Sequence, residues 1–513
     1  MAAPPALLWE PAPATGTMRA MATPAATREE RAILASGVLI ATGIAAGELA
    51  VPNDLFWHLA IAREIYHRGF PRTDPFAFST DAIAWSPPEW LGELAFGASY
   101  VSLGFAGTTL LTLAAIALCF SAIARAARSV APAPAAALAL VVFAGPASVH
   151  LPMRPLVLGD ALLAIVIERM FALRRGDARG LRWLPLLFAV WSNLHPSWPM
   201  GLAIVWLHAG ALLWLGPIAK RVGLVVEELD PAARRPLVIA ALGAPIAVLA
   251  RPDGLEGALY PFVHVIGLGD QMREIIEWFP PDLTHPVNLA LLTLIVLTAL
   301  LLIVDRRQPA PLLDVALVLL GASMALRYQR FLPLAAFLCV PVLARMLGRT
   351  RFGDVVTTAL GTRFLLALSL CFALVQIPSS RDLAGDLRDS YPVDAVRWAR
   401  WQRLPERAFN SFEDGGYLLF YRPGRRVFID SRFDLYARAG VFDDYLALRR
   451  GERIAEIVDH YQFEAAFVPT ADRDETFAAF EAALPGLGFT LVHTDAATHV
   501  WTRETRGITS LHP

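Results

Sequence analysis

Apolar runs near the length that crosses a hydrocarbon core, about 20 residues with a working range of about 17–25, recur along most of the chain. By that criterion about eleven candidate spans emerge: 32–51, 105–124, 133–149, 156–173, 183–194, 198–216, 236–250, 287–304, 311–326, 331–347 and 363–378. The runs at 183–194 and 236–250 are short and suit broken or re-entrant helices. After residue 379 the apolar blocks give way to charged sequence. There Tyr391 opens a helix to about Arg403, and Arg407 to Phe412, Arg426 to Ile429 and Glu464 to Val468 read as strands. Arg473 to Leu484 reads as a helix, and Thr490 to His493 with His499 to Thr502 as a hairpin. The pattern predicts a multi-span α-helical membrane protein with a C-terminal soluble α/β domain holding a partly parallel sheet. Its divisions are a disordered tail at 1–31, a transmembrane domain at 32–379 with a large first loop at 52–104, and an outer domain at 380–513.

Composition agrees with the spans: 56% of the 513 residues are hydrophobic and 18% charged, and mean hydropathy is +0.48, too apolar for a soluble chain of this length. A net charge of −1 argues against nucleic acid, whose binders need surplus basic groups. Cys119, Cys339 and Cys371 lie in apolar runs without metal-ligand spacing, as small core residues do. Ile33 to Val51 leads directly into Pro52-Asn53, as an uncleaved signal-anchor helix would. Basic residues fix an expected orientation. Arg125 and Arg128, Arg174 to Arg182, Lys220 to Arg235, Arg306 and Arg307, and Arg345 to Arg351 fall in alternate loops, all cytoplasmic if the N-terminus is. The first loop and the C-terminal domain then lie outside.

Those outer loops hold the residues that packing does not require. Asp54, His58, Arg63, Glu64, Arg72, Asp74, Glu89 and Glu93 crowd among Phe56, Trp57, Trp85 and Trp90, which points to a polar cleft at the membrane surface. Asp54, where the first helix leaves the membrane, can take a proton from an acceptor hydroxyl or hold a divalent cation such as Mg or Mn. It equally suits the start of the amphipathic segment Leu55 to Tyr66. His58, one turn on, shares its face and either binds the same ligand or pairs with it. Arg72 and Asp74 sit between two prolines that fix the backbone, where an exposed ion pair would also fit. Glu89 and Glu93 stack at i and i+4, and need a cation or a protonated partner between them.

Arg154, Arg251, Arg327 and Arg330 stand at helix ends on this same side, against the charge bias. Guanidinium groups there can clamp phosphate, and snorkelling anchors are the competing explanation. His195 lies in an Asn-Leu-His-Pro turn, and Glu274 to Phe279 forms an acidic and aromatic run. Trp198, Tyr260, Trp278 and Tyr328 suit an interfacial aromatic belt. In the C-terminal part, Ser411 to Tyr417 and Asp430 to Asp434 follow the first two expected strands, where an open α/β sheet forms its crevice. Gly415 and Gly416 are too few for a phosphate loop and suit a structural turn with a helix cap.

In order along the chain, NDLFWHL (53–59), PRTDPFAFS (71–79), PPEWLGE (87–93), WSNLHPSW (191–198) and LRYQRFLPL (326–334) resemble bacterial membrane proteins of the glycosyltransferase C superfamily. Their architecture is similar to that of protein mannosyltransferases and lipid A aminoarabinose transferases. GGYLLF (415–420) and RRVFIDSRFDLY (425–436) look like the outer domain of one uncharacterised bacterial branch. The resemblance covers most of 32–380. It implies inverting transfer of a sugar from a polyprenyl-phosphate donor, at the outer face of the inner membrane, to an envelope acceptor. It also implies that Asp54 matches a first-loop acid that often binds metal. Better-known members pair two acids there; this chain has Asn53-Asp54, so a second acid would come from Asp74, Glu89 or Glu93. Arg327 and Arg330, helped by Arg154 or Arg251, would hold the leaving phosphate. His58, Asp74, Glu89, Glu93 and His195 would position hydroxyls. A carrier that binds lipid-linked sugar without cleaving it is the reading from another class.

Overall fold

A computed structural model describes residues 27–81, 83–215, 221, 225–267, 275–304, 311–350, 359–402 and 404–503. Lys220, Glu274, Arg306, Arg307, Arg351 and most of the expected N-terminal tail lie outside the described residues. The tail's expected last residues are helical: α1 (Arg28–Gly47) starts at a capping box in which Thr27 accepts from the Glu30 backbone and Glu30 answers.

Every expected span is a helix. They are α1, α4 (Phe105–Arg128), α5 (Ala133–Ser148), α6 (Leu156–Arg174), α7 (Leu184–Leu194), α8 (Trp198–Gly210), α9 (Pro231–Ala247), α11 (Pro286–Val304), α12 (Leu312–Arg327), α13 (Leu332–Gly348) and α14 (Ala359–Val375). Between them lie α2 (Asn53–Arg68) and α3 (Trp90–Leu103) of the first loop, and α10 (Gly254–Gly267). The expected count of about eleven crossings does not follow. Among the described residues five helices are long and apolar enough to cross a membrane: Arg28–Gly47, Phe105–Arg128, Trp198–Leu215, Pro286–Val304 and Gln329–Gly348. The remainder are shorter, or, like the 19-residue α6, carry Asp160, Glu168, Arg169 and Arg174. Small residues on α1 (Ser36, Gly37, Ala41, Gly43, Ala45) are buried and let α5 and α14 pack beside it.

The loops that follow α1, α5, α7, α9 and α12 are cross-linked at one end of this bundle, where the C-terminal segment lies against the first of them. Its sheet has four strands in the order β1 (Ala408–Phe409), β2 (Ala465–Pro469), β4 (Thr498–Arg503), β3 (Phe489–Thr494). β1 and β2 run parallel and the hairpin β3–β4 antiparallel, so the sheet is partly parallel as expected. The expected strand Arg426 to Ile429 is not in it. Its backbone pairs with the first loop: Phe78 N–H donates to Val427 O at 3.0 Å, and Val427 N–H to Phe76 O at 3.0 Å. That exchange fastens the C-terminal segment to the loop beneath.

A second fastening comes from α17 (Phe412–Tyr421), capped by Ser411 through the Asp414 N–H at 3.1 Å and packed on α2. Between α14 and α17 come α15 (Ser380–Ser390) and α16 (Val393–Ala399). Gly416 permits the contact, because a Cβ there would meet Asn53 O at 3.1 Å and the Trp57 backbone N at 3.2 Å. The glycine pair is thus a packing device, and it brings residues 429–431 over the start of α2.

Candidate functional site

Asp54 lies in the first turn of α2, after Pro52 at the cap position. Its side chain does not cap the helix. Oδ1 accepts from Ser431 Oγ at 2.6 Å and Trp57 Nε1 at 3.2 Å, and Oδ2 accepts from Arg154 Nη1. The other terminal nitrogen of Arg154, Nη2, donates to Glu277 Oε1. One guanidinium therefore spans carboxylates from two separate loops. Arg154 keeps 15% of its side chain exposed, Asp54 16% and Glu277 42%, so the triad opens on the Glu277 side.

Burial alone would raise the Asp54 pKa; the Arg154 charge, with Ser431 and Trp57, holds it below the usual carboxylate range. Glu277 is held low in the same way, against burial, by Arg154 and then Arg330. Burial would lower the Arg154 pKa, and the two carboxylates push it up instead.

Arg154 and Ser431 are placed by ordinary packing. Arg154 sits in His150-Leu151-Pro152-Met153-Arg154-Pro155; Leu151 and Met153 are fully buried, and Arg154 N–H turns back to Pro152 O at 2.8 Å. Ser431 sits between Asp430 and Arg432. Asp430 accepts from Arg432 Nε at 2.8 Å and from Tyr436 OH at 2.7 Å. Arg432 then reaches Asp74 at 2.7 Å and lies over the Trp85 ring at 4.7 Å.

Beside the triad a second chain of groups runs through α2 and α3. His58 faces Glu93 Oε1 with Nδ1 at 3.3 Å and Glu89 Oε2 with Nε2 at 3.8 Å. His195 continues it. Its Nδ1 accepts from Ser197 N–H at 3.0 Å, so the proton sits on Nε2, which meets Glu89 Oε1 at 3.2 Å. Burial raises the Glu93 carboxyl to about 7 despite His58, and the nearby Glu89 charge adds to the rise. Glu89 goes the other way: burial would raise it, but His195 holds it low. Gly92 allows α3 this close to the Asn193-His195 turn, since a Cβ would lie 2.6 Å from Leu194 O. His58 is the group between two stacked glutamates that the i, i+4 spacing requires, and it pairs with them rather than with Asp54.

The other expected residues are spread wider. Asp74 is buried, accepts from Phe76 N–H at 3.2 Å and Ala77 N–H at 3.1 Å, and binds Arg432. Arg72 donates to Pro252 O at 2.8 Å. Arg251 is spent on Asp253 at 2.8 Å and on the Pro88 and Ser192 carbonyls. These three staple the loops together and stand outside the triad. Arg327 is exposed and donates to Tyr328 OH at 2.9 Å. Arg330 lies 4.3 Å over the Trp278 ring, with its charge acting on Glu277.

Glu277 and Ser431 were not singled out in the sequence, and Trp57 was named there only as an aromatic neighbour of the cluster. Each belonged to a segment that was singled out: the acidic and aromatic run, the loop at Asp430 to Asp434, and the first-loop cluster. Among the described residues no group of three His, Cys, Asp or Glu side chains is placed to hold a metal ion. Asp54 and Glu277 do converge, but Arg154 fills the position between them, so the residues present do not fit a divalent cation.

No family model and no curated protein matches the sequence. Solved structures do. The crystal structure of the oligosaccharyltransferase of the archaeon Archaeoglobus fulgidus, tethered with an acceptor peptide containing an NVT sequon, aligns with a TM-score of 0.55 and 13% identity over 92% of this chain and 74% of that one. It is similar in fold to an oligosaccharyltransferase. The same archaeal protein in complex with an inhibitory peptide and a dolichol-phosphate aligns with a TM-score of 0.51 and 12% identity, over 94% and 75% of the two chains. At this identity the likeness is one of fold alone.

Proposed function

We propose that this protein is an inverting membrane glycosyltransferase that moves a sugar from a polyprenyl-phosphate donor to an envelope acceptor. It works at the outer face of a bacterial inner membrane, with the shorter helices crossing as broken spans, the N-terminus cytoplasmic and residues 380–513 outside. The observation that carries the reading is Asp54, an ionised carboxylate held at the meeting of the first loop, the α5–α6 loop, the loop before α11 and the C-terminal segment. It does so in a fold shared with an enzyme solved with an acceptor peptide and with a dolichol-phosphate.

In this reading Asp54 orients the acceptor hydroxyl and takes its proton as the sugar is transferred. The phosphate leaves toward Arg330, whose guanidinium lies 4.3 Å over the Trp278 ring, and Arg327 meets the departing headgroup from the exposed rim. His58 with Glu93 and His195 with Glu89 form two adjoining pairs beside the triad, and burial raises the Glu93 carboxyl to about 7, so that it can hold a proton near neutral pH.

A carrier that binds lipid-linked sugar without cleaving it is favoured by one observation. Asp54 already has Arg154, Ser431 and Trp57 as partners. Mass spectrometry of polyprenyl phosphate released from a panel of lipid-linked sugars, with the protein in bilayer discs, separates the two readings. Release by wild type that both Asp54→Asn and Arg330→Ala abolish supports the transferase. Binding of the donor without release by wild type, in the presence of envelope acceptors, overturns it.

A further inference from the structure

We infer that Arg154 is a built-in replacement for a divalent cation: its guanidinium occupies the position between Asp54 and Glu277, so this site works without metal. Two carboxylates brought from separate segments to the two ends of one small cationic group are the oxygen donors that a hard cation would draw together. Here each carboxylate is met by a different terminal nitrogen of the same guanidinium, the fork geometry that suits arginine and not lysine.

The charges also close. Asp54 and Glu277 carry two negative charges. Arg154 supplies one positive charge between them, and Arg330, held over Trp278, acts on Glu277 with a second. Together they match a divalent ion, but as fixed side chains whose position does not depend on an external concentration. The backbone is built to hold Arg154 there. Pro152 and Pro155 restrict the turn, buried Leu151 and Met153 anchor it, and the Arg154 carbonyl accepts from Val157 N–H at 3.1 Å where α6 begins.

A consequence is that removing the guanidinium should uncover a vacant two-carboxylate site. Arg154→Ala should acquire affinity for divalent ions that the wild type lacks. Arg154→Lys keeps a point charge in the gap and should remain without it.

The test uses the full-length protein in bilayer discs and Mn2+ as the probe, read by electron paramagnetic resonance of the bound ion and by the thermal unfolding midpoint with Mn2+ or with EDTA. Wild type is expected to bind no Mn2+ at this site and to unfold at the same temperature in both. Arg154→Ala is expected to bind one ion and to gain several degrees with millimolar Mn2+, and Arg154→Ala with Glu277→Gln to lose both. Mn2+ bound by wild type and lost in Asp54→Asn overturns the inference, as does a folded Arg154→Ala that takes no ion. If Arg154→Ala does not fold, the wild-type and Asp54→Asn measurements still decide it. The inference deepens the transferase reading, for which it adds that release of polyprenyl phosphate is unchanged by EDTA. Absence of any release counts against that reading alone and leaves the Mn2+ result standing.

Discussion

The two ends of the helix bundle each hold a cluster of paired charges with a guanidinium between two carboxylates, one sealed and one open. At the end away from the first loop, Arg174 lies between Glu227 at 2.5 Å and Asp314 at 2.7 Å, and Asp314 also meets Arg345 at 2.8 Å. At the other end Arg154 lies between Asp54 and Glu277, a guanidinium between two carboxylates. Arg174 and Asp314 are sealed, at 1% and 0% side-chain exposure, whereas Glu277 remains 42% exposed. The sealed cluster joins the ends of α6, α12 and α13, elements that packing already holds, and ties the segment before α9 to them through Glu227. The open one joins loops and the C-terminal segment. Similar ion-pair chemistry therefore serves two ends, and what separates a stitch from a candidate site is access and the mobility class of the elements that supply it.

Substitution at the two carboxylates tests that distinction most sharply. Asp54→Asn is expected to lower sugar transfer by about 10²–10⁴-fold, the range of a lost acid or base, with a small change in unfolding midpoint because Arg154 keeps Glu277. Asp314→Ala should do the reverse. It leaves Arg174 with Glu227 but takes from Arg345, in the sealed end, the carboxylate at 2.8 Å, a loss of about 3 kcal/mol, read as a fall in the midpoint and in yield from the membrane. Equal stability losses in the two variants would erase the distinction.

The same contrast shows what the sequence could reveal. Long apolar runs marked every bundle helix, because burial in lipid or protein demands them regardless of partners. They did not fix the number of crossings: a 16-residue helix such as α5 and a charged one such as α6 are helical for local reasons, while their placement depends on neighbours. The cluster in the first loop was legible because ionisable groups among tryptophans have no packing purpose. Which of them meet was not. Asp74 and Arg251 have the composition of site residues and are consumed by backbone N–H groups, carbonyls and ion pairs. Ser431 has no distinguishing composition, and reaches Asp54 only because Gly416 lets α17 rest on α2 and because residues 426–429 pair with the first loop instead of the sheet.

Within the open end, Glu93 and Asp54 form a smaller comparison, one carboxyl pushed up and the other held down. Glu93 rises from 4.5 to about 7, so the folded state binds its proton more tightly than the unfolded chain. Its contribution to stability is full below about pH 4.5 and is lost as pH rises through 7. The groups facing it are His58 on α2, Glu89 at the cap of α3 and, at longer range, Arg432. The unfolding midpoint of wild type should fall between pH 5 and 7.5 more steeply than that of Glu93→Gln. Identical slopes would assign the pH dependence to another group.

The smallest expected effect concerns Ser431, the contact through which the C-terminal segment touches Asp54. Its hydroxyl donates to Oδ1 at 2.6 Å, and without it Asp54 still has Trp57 and Arg154. A single hydrogen bond to a charged acceptor that keeps other partners is worth about 1 kcal/mol, so Ser431→Ala should lower kcat about two- to tenfold and leave KM for the donor unchanged. Ser431→Thr, which retains the hydroxyl, should restore it. The neighbouring Asp430–Arg432–Asp74 links do not involve the Ser431 hydroxyl, so the unfolding midpoint should stay within a degree or two of wild type. A kcat unchanged in Ser431→Ala would make the C-terminal segment a cover fastened by its backbone pairing and by α17. A lowered kcat rescued by threonine would make it part of the machinery, ordering one oxygen of Asp54 while Arg154 orders the other.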